Sequence, residues 1–271
     1  MPRRLETLIF KRVVVGIDGS PAGWNAKNYA FELGERLSTP VVGVHVIDSR
    51  LLEESFLEDL AGVLGFTYYM GISQKVKDFF EKQADALIEE FLTEGRQRGI
   101  RVSSFQTIGV PYQELVNQAD PEDLLVIGRR GKRPVKGFLL TSTAEVVSRR
   151  SKAPVMLVPE NKRDLKKFCV AYDGGELSRR ALSLALELSK AFQAQVYALY
   201  VGEGSIDVPE GVELVVEDGL VEERIVAHCE ERGVDLLFMG AYSKGRVKEL
   251  FLGSVTSFVM HHVNIPLLLV K

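Results

Sequence analysis

The 271-residue chain has only two cysteines, Cys169 and Cys229, and a single tryptophan. Two cysteines cannot build a disulfide framework, and their spacing matches none of the paired patterns of zinc sites, so a reducing, intracellular setting is expected. Long apolar runs are missing as well. None approaches the roughly 18 residues that cross a bilayer, and after Arg3 and Arg4 the residues Glu6, Lys11 and Arg12 interrupt any signal-like apolar region. The expectation is a soluble, cytoplasmic protein with no membrane partner. Charge of one sign is not in excess either: 34 basic and 37 acidic residues leave a net charge of -3, with a pI near 5.9. Nothing global attracts a polyanion, so nucleic acid is not the expected partner and any basic function is local. Also absent is the P-loop pattern of Gly, four residues, Gly-Lys and Ser or Thr, which removes that route to phosphoryl transfer. His261 and His262 are adjacent, so on a helix they point about 100 degrees apart and cannot share a metal as an i, i+4 pair does. No catalytic residues are assigned.

What is present is globular composition, 46% apolar and 26% charged, in a chain about twice the length of a modal domain. The length prompts a search for repeats, and one is found. Arg12 to Asp18 (RVVVGID) is a β-branched run broken by Gly19, Ser20 and Pro21; Phe168 to Asp173 (FCVAYD) runs into Gly174 and Gly175. Both read as buried strands ending in loops. Helical spacing follows each, through Ala26, Ala30, Leu33 and Leu37 and through Ala181, Ala185, Leu188 and Phe192. Asp18 to Val46 and Asp173 to Val201 are both 28 positions, Gly128 to Ser142 and Gly240 to Ser254 both 14, and Ser142 to Pro154 and Ser254 to Pro266 both 12. Such register marks a duplication. The later strands (DLLVIG, DLLFMG, APVMLVP, IPLLLV) are near-continuous apolar runs, as strands of a parallel sheet covered by helices on both faces should be.

The copies differ in one interval. Val46 to Gly109 spans 63 positions, while Val201 to Gly219 spans 18. The first copy has room there for a helix carrying Val76, Phe79, Phe80, Ala84, Leu87, Ile88, Phe91 and Leu92 at helical spacing; the second has only a short Gly- and Pro-containing connection. One helix is therefore expected to be lost, leaving part of a sheet face in need of cover. The apolar insertion at about 51–73, with Phe56, Leu57, Leu60, Val63, Leu64, Phe66, Tyr68 and Tyr69, is a candidate cover for the neighbouring copy or a second chain, and equally a lid over its own copy. The expected domains are residues 1–160 and 168–271, joined by a polar, charged linker at 161–167.

In open parallel α/β sheets, ligands sit beyond the carboxyl ends of the strands where strand order reverses, which points to the loops after the first and fourth strands of each copy. Glycine admits close approach to a phosphate, and a following helix offers unpaired N–H groups with partial positive charge. Two opposing hints separate the copies. The first carries Arg129, Arg130, Lys132, Arg133 and Lys136, against Lys244, Arg246 and Lys248 with Glu249 in the second; glycine geometry favours the second. Asp18 and Asp173 stand at strand ends, where they serve either a ligand or their own turn.

With the VGIDGS and VAYDGG segments, the HVID strand and the duplicated register, these loops resemble those of the universal stress protein family. Its nucleotide-binding members carry Gly, two residues, Gly, nine residues, Gly, then Ser or Thr. The first copy matches at Gly128, Gly131 and Ser142 with Thr141 as the third glycine; the second matches at Gly240, Gly253 and Ser254 with Ser243 as the second glycine. The resemblance covers nearly the whole chain. It implies two tandem open parallel five-stranded sheets flanked by helices, of the Rossmann-like adenine nucleotide alpha hydrolase type, the second lacking one helix. It further implies a ligand, ATP or a related adenine nucleotide with Mg2+ at the phosphates. Asp18 and Asp173 would lie near ribose and metal, and the backbones of Val46 and Val201 near adenine. Gly128, Gly131, Ser142 and Thr143 would cradle phosphate in the first copy, with Gly240, Ser243, Gly253, Ser254 and Val255 doing so in the second. The implied role is a nucleotide-dependent sensor or regulator of the stress response with an unidentified regulatory protein partner; slow ATP hydrolysis and a nucleotide-free interaction module are the alternatives. The last strands, PVMLVP and PLLLV, resemble those through which family members pair, in a homodimer or between the two copies of one chain.

Overall fold

The computed structural model describes residues 9–53, 72–129, 143–204, 206–241 and 253–271. The first β-branched run forms β1, Val13–Gly16, whose Val13 and Val15 enter one core and whose Val14 enters another on the opposite face. Helix α1, Pro21–Leu37, begins where Ser20 accepts the Gly23 amide and where Pro21 supplies a preset φ. It ends at Ser38, left-handed at φ 53. In the second copy β6, Lys167–Ala171, leads to α5, Glu176–Phe192, which ends the same way at Gln193 with φ 51. Positive φ is uncommon outside glycine, so its recurrence at the same place in both copies is a conformational mark of the duplication.

The remaining strands of the first copy are β2 (Val41–Asp48), β3 (Val102–Gly109), β4 (Leu124–Gly128) and β5 (Val155–Val158). Those of the second are β7 (Gln195–Val201), β8 (Glu213–Glu217), β9 (Leu236–Gly240) and β10 (Leu267–Val270). Each copy is a parallel five-stranded sheet, and the two join into one sheet of order β3-β2-β1-β4-β5-β10-β9-β6-β7-β8. The join is antiparallel: Leu267 faces Leu157, Leu268 faces Met156 and Leu269 faces Val155. None of these six is more than 1% exposed. Of the two arrangements the sequence leaves open, the last strands thus adopt the pairing between copies.

Two apolar layers cover the sheet, one on each face, and each draws residues from both copies. On one face lie α1, α5 and, in the first copy only, α2 (Ile72–Gln97), with Phe91 stacked on Phe31 at 5.0 Å. On the other face lie α3 (Pro111–Gln118), α4 (Thr143–Arg150), α6 (Val221–Glu231) and α7 (Ser254–His262). A buried cation clamps α2 to α1. Lys27, 4% exposed, lies 2.5 Å from Glu94 and 3.3 Å from Glu90, with its ammonium 4.2 Å above the Trp24 ring. Burying an ammonium is costly unless it is paired in this way. In the second copy the same position is Leu182, 1% exposed, and no helix is described between β7 and β8; Ile206, Val208 and Val212 of that connection pack on the core instead. The apolar stretch expected to provide cover falls mostly at 54–71, outside the described residues.

The segment after β5 runs along α1. The Asn25 amide donates to the Pro159 carbonyl at 2.7 Å, and the Tyr29 hydroxyl donates to the Arg163 carbonyl at 3.0 Å while accepting the Arg163 amide at 2.7 Å. Lys162 pairs with Glu32 at 3.1 Å, and Leu165 is 2% exposed. Burial, above all, pushes the Tyr29 hydroxyl up to about 12, so it remains a neutral donor at physiological pH.

Candidate functional site

In the first copy the strand order reverses between β1 and β4, and in the second between β6 and β9. The carboxyl ends of each such pair lie together at one end of their own parallel copy, where an open α/β fold holds its ligands, and the antiparallel join puts the two pairs at opposite ends of the continuous sheet. Asp18 organises its loop through one oxygen, which accepts the Ser20 amide at 3.0 Å and the Ser20 hydroxyl at 2.7 Å; Ser20 in turn accepts the Gly23 amide at 2.9 Å. Asp173 does the same, accepting the Gly175 amide at 2.9 Å and the Ser178 hydroxyl at 2.6 Å. Gly19 and Gly174 stand between, left-handed at φ 71 and 72. Each aspartate therefore fixes the turn that aims the following helix at the switch point.

That aim brings helix and strand into tight contact. A Cβ on Gly128 would lie 2.8 Å from the Ala22 carbonyl carbon and 2.9 Å from the Gly23 nitrogen; one on Gly240 would lie 2.6 Å from the Leu177 Cβ and 3.1 Å from the Ser178 nitrogen. These glycines let the first turns of α1 and α5 sit directly over the strand ends. At α7 the cap is Gly253, which has no side chain to bond the first-turn amides. Ser254 is exposed and Val255 half-buried at this open helix end, and Thr143 is half-buried at the start of α4. Val46 and Val201, at the ends of β2 and β7, are half-buried against the second core. Gly131, Ser142, Ser243, Thr141 and the basic residues at 130–136 and 244–248 lie outside the described residues.

Two features were not foreseen. Arg129, first of the basic run, reaches across the join and donates to the Val263 carbonyl and, at 2.6 Å, to that of Ile265. It ties the loop after β4 to the entry of β10. In the second copy, the imidazole of His228, fully buried, donates from Nδ1 to Glu217 at 2.7 Å and meets the Tyr197 hydroxyl at 2.9 Å through Nε2. Arg224 donates to the other Glu217 oxygen at 2.5 Å. Burial pushes the Glu217 carboxyl up, but the bonds and charges of Arg224 and His228 outweigh it and hold the group below the usual carboxylate range. The network fastens β8 to α6 on the face opposite the one that α2 covers in the first copy. Its sequence signal is a histidine on the same helical stripe as Ile225 and Cys229, where burial demands polar partners. Burial pushes the Cys169 thiol well above its ordinary range and the Cys229 thiol up to about 12; both stay protonated at neutral pH, in keeping with structural roles. His45 is buried and donates through Nδ1 to the Ile17 carbonyl at 2.6 Å, bracing the residue before Asp18.

A duplicated 3-2-1-4-5 parallel sheet with Asp-Gly turns and glycine-ended fourth strands invites comparison with known proteins. The model described as "Universal stress protein family" matches residues 9–159 and 203–271. This chain belongs to the universal stress protein family. Among its relatives is the universal stress protein Slr1230 of Synechocystis, 23% identical, with 95% of this chain and 99% of that protein covered. A universal stress protein from Archaeoglobus fulgidus, solved by crystallography, covers 96% of this chain and is itself 98% covered at 22% identity, with a TM-score of 0.73. The match to each thus extends over nearly the whole of both chains. Another universal stress protein, solved in complex with cAMP, covers 56% of this chain at 22% identity with a TM-score of 0.39, a likeness that carries no argument about the ligand here. Among the described residues no helix is long and apolar enough to cross a membrane.

Proposed function

We propose that this universal stress protein binds an adenine nucleotide, ATP with Mg2+, at the switch points, and acts as a nucleotide-dependent regulator in the stress response. The observation that carries the reading is the close seating of α1 on Gly128 and of α5 on Gly240. It sets the positive ends of two helices over the strand ends, where a phosphate is favoured by unpaired amides and by the helix dipole. The open, glycine-capped start of α7 adds a second set of amides to the second copy. The donors present fit an anion. On this reading Asp18 and Asp173 approach ribose and the metal-bound phosphates, and the Val46 and Val201 backbones approach adenine. Phosphate is taken by Gly128, Gly131, Ser142 and Thr143 in one copy and by Gly240, Ser243, Gly253, Ser254 and Val255 in the other. Bound Mg2+ would neutralise phosphate charge. A ligand moves such a protein between states only through unequal affinity for them, so the regulatory role requires that ATP favour one arrangement of these loops. Titration calorimetry with ATP in magnesium buffer tests the reading. Saturable heat is expected, weakened about tenfold or more when Ser142→Ala and Ser254→Ala are combined, since each removes a charge-assisted hydrogen bond of about 1.5–3 kcal/mol; binding unchanged in that double variant would place the nucleotide elsewhere.

A further inference from the structure

The face of α1 that holds the linker has a counterpart on α5. The two helices are 155 positions apart, as Glu176 is from Pro21, so Asn25, Tyr29 and Glu32 correspond to Arg180, Leu184 and Glu187. Those three, with Glu176, Arg179 and Ser183, line an open groove of about 470 Å³. Both faces begin with the same contact. Asn25 donates to the carbonyl of Pro159 at 2.7 Å, and Arg180 donates to the carbonyl of Lys271 at 3.3 Å. Lys271 follows Pro159 by 112 positions, the interval between Gly128 and Gly240. Beyond that contact the copies part. On α1 the linker is in place, leaving Asn25 3% and Tyr29 0% exposed and pairing Glu32 with Lys162. On α5 Arg179, Arg180, Ser183 and Glu187 are exposed, and Glu187 has no ionic or hydrogen-bonded partner among the described residues.

We propose that the α5 groove docks an extended peptide segment of a partner protein, in which a lysine or arginine pairs with Glu187 and an apolar side chain covers Leu184. Geometry supports the match. Arg180 and Glu187 are seven residues apart, about 10 Å along the helix axis, and three extended residues span the same distance; on α1 the linker advances three residues from Pro159, at Asn25, to Lys162, at Glu32. Charge order supports it too. The groove runs from Arg179 and Arg180, the latter also paired with Glu176 at 2.7 Å, to Glu187, so its surplus positive charge at one end and negative charge at the other complement a segment that is acidic first and basic next, as the linker is with Glu160 before Lys162 and Arg163. Leu184 lacks the hydroxyl with which Tyr29 bonds the linker backbone, so the apolar contact takes over that position and selectivity falls on the basic side chain.

The linker supplies the probe. A fluorescent peptide of residues 159–166 is added to the full chain without nucleotide, and anisotropy is followed at low salt, so the result is independent of the nucleotide reading. Saturable binding is expected, weakened tenfold or more by Glu187→Lys in the protein or by Lys162→Glu in the peptide. Combining the two changes should restore it, which also shows that the variant is folded. Absence of saturable binding, or binding that Glu187→Lys leaves unchanged, overturns the proposal. A solution mass that doubles with protein concentration and returns to one chain in Glu187→Lys would make the occupant a second copy, and the assignment to a partner protein would be wrong.

Discussion

Single residues decide how closely the helices approach the strand ends. Gly240→Ala places a Cβ 2.6 Å from that of Leu177 and 2.9 Å from its carbonyl carbon. The backbone cannot yield as a flexible side chain does, so a loss of about 1–3 kcal/mol is expected, read as a lower denaturant midpoint at unchanged slope. Both motif glycines were legible as close-approach positions; what was not legible is that the first turns of α1 and α5 already crowd them, because that depends on how Asp18 and Asp173 set the turn. Glu217 makes a pH-dependent contribution. Its folded carboxyl lies below its unfolded value of about 4.3, so its contribution to stability is complete above that value and is lost as pH falls through the lower folded value. Glu217→Gln should therefore be less stable than the wild type at neutral pH, with the difference shrinking below about pH 4; a difference constant across that range would contradict the ion pairing with Arg224 and His228.

At the scale of elements, periodicity was a reliable guide where one face meets the core and a poor one where polar groups are buried. Ala181, Ala185, Leu188 and Phe192 face inward as their spacing requires, whereas Phe79, in the apolar pattern of α2, is 60% exposed. Lys27 and His228 are the opposite case: polar side chains on buried helix faces whose partners come from other elements, Glu90 and Glu94 more than sixty positions away for one and Tyr197 and Glu217, 31 and 11 positions away, for the other. No local pattern announces such pairs. Arg129 belongs with them, since a run of basic residues says nothing about which member crosses to another copy. Arg129→Ala is expected to speed amide exchange in 263–270 while leaving β6 and β7 unchanged, because it removes the two bonds that fasten the entry of β10. Equal exchange in the variant would show that the join is held by strand pairing alone.

Across the whole molecule, the duplication, the parallel sheets and the missing helix were all legible from intervals between landmarks, while the choice of pairing for the last strands was not, because apolar edges suit a partner within the chain or outside it equally well. The structure resolves that choice in favour of a continuous sheet whose two cores cross the join. One cooperative unfolding transition is therefore expected rather than two. Leu268→Asp, burying a charge at a position 0% exposed against Met156, should destabilise both copies together by about 3 kcal/mol or more; a second copy that melts alone would argue for independent domains. The central claim is that these joined copies hold an adenine nucleotide. It is tested most directly by heat-denaturing freshly purified protein and quantifying the released nucleotide per chain by chromatography and mass spectrometry. The account predicts one or two adenine nucleotides per chain, or saturation to that level when ATP and Mg2+ are added first; no nucleotide retained and none taken up would contradict it.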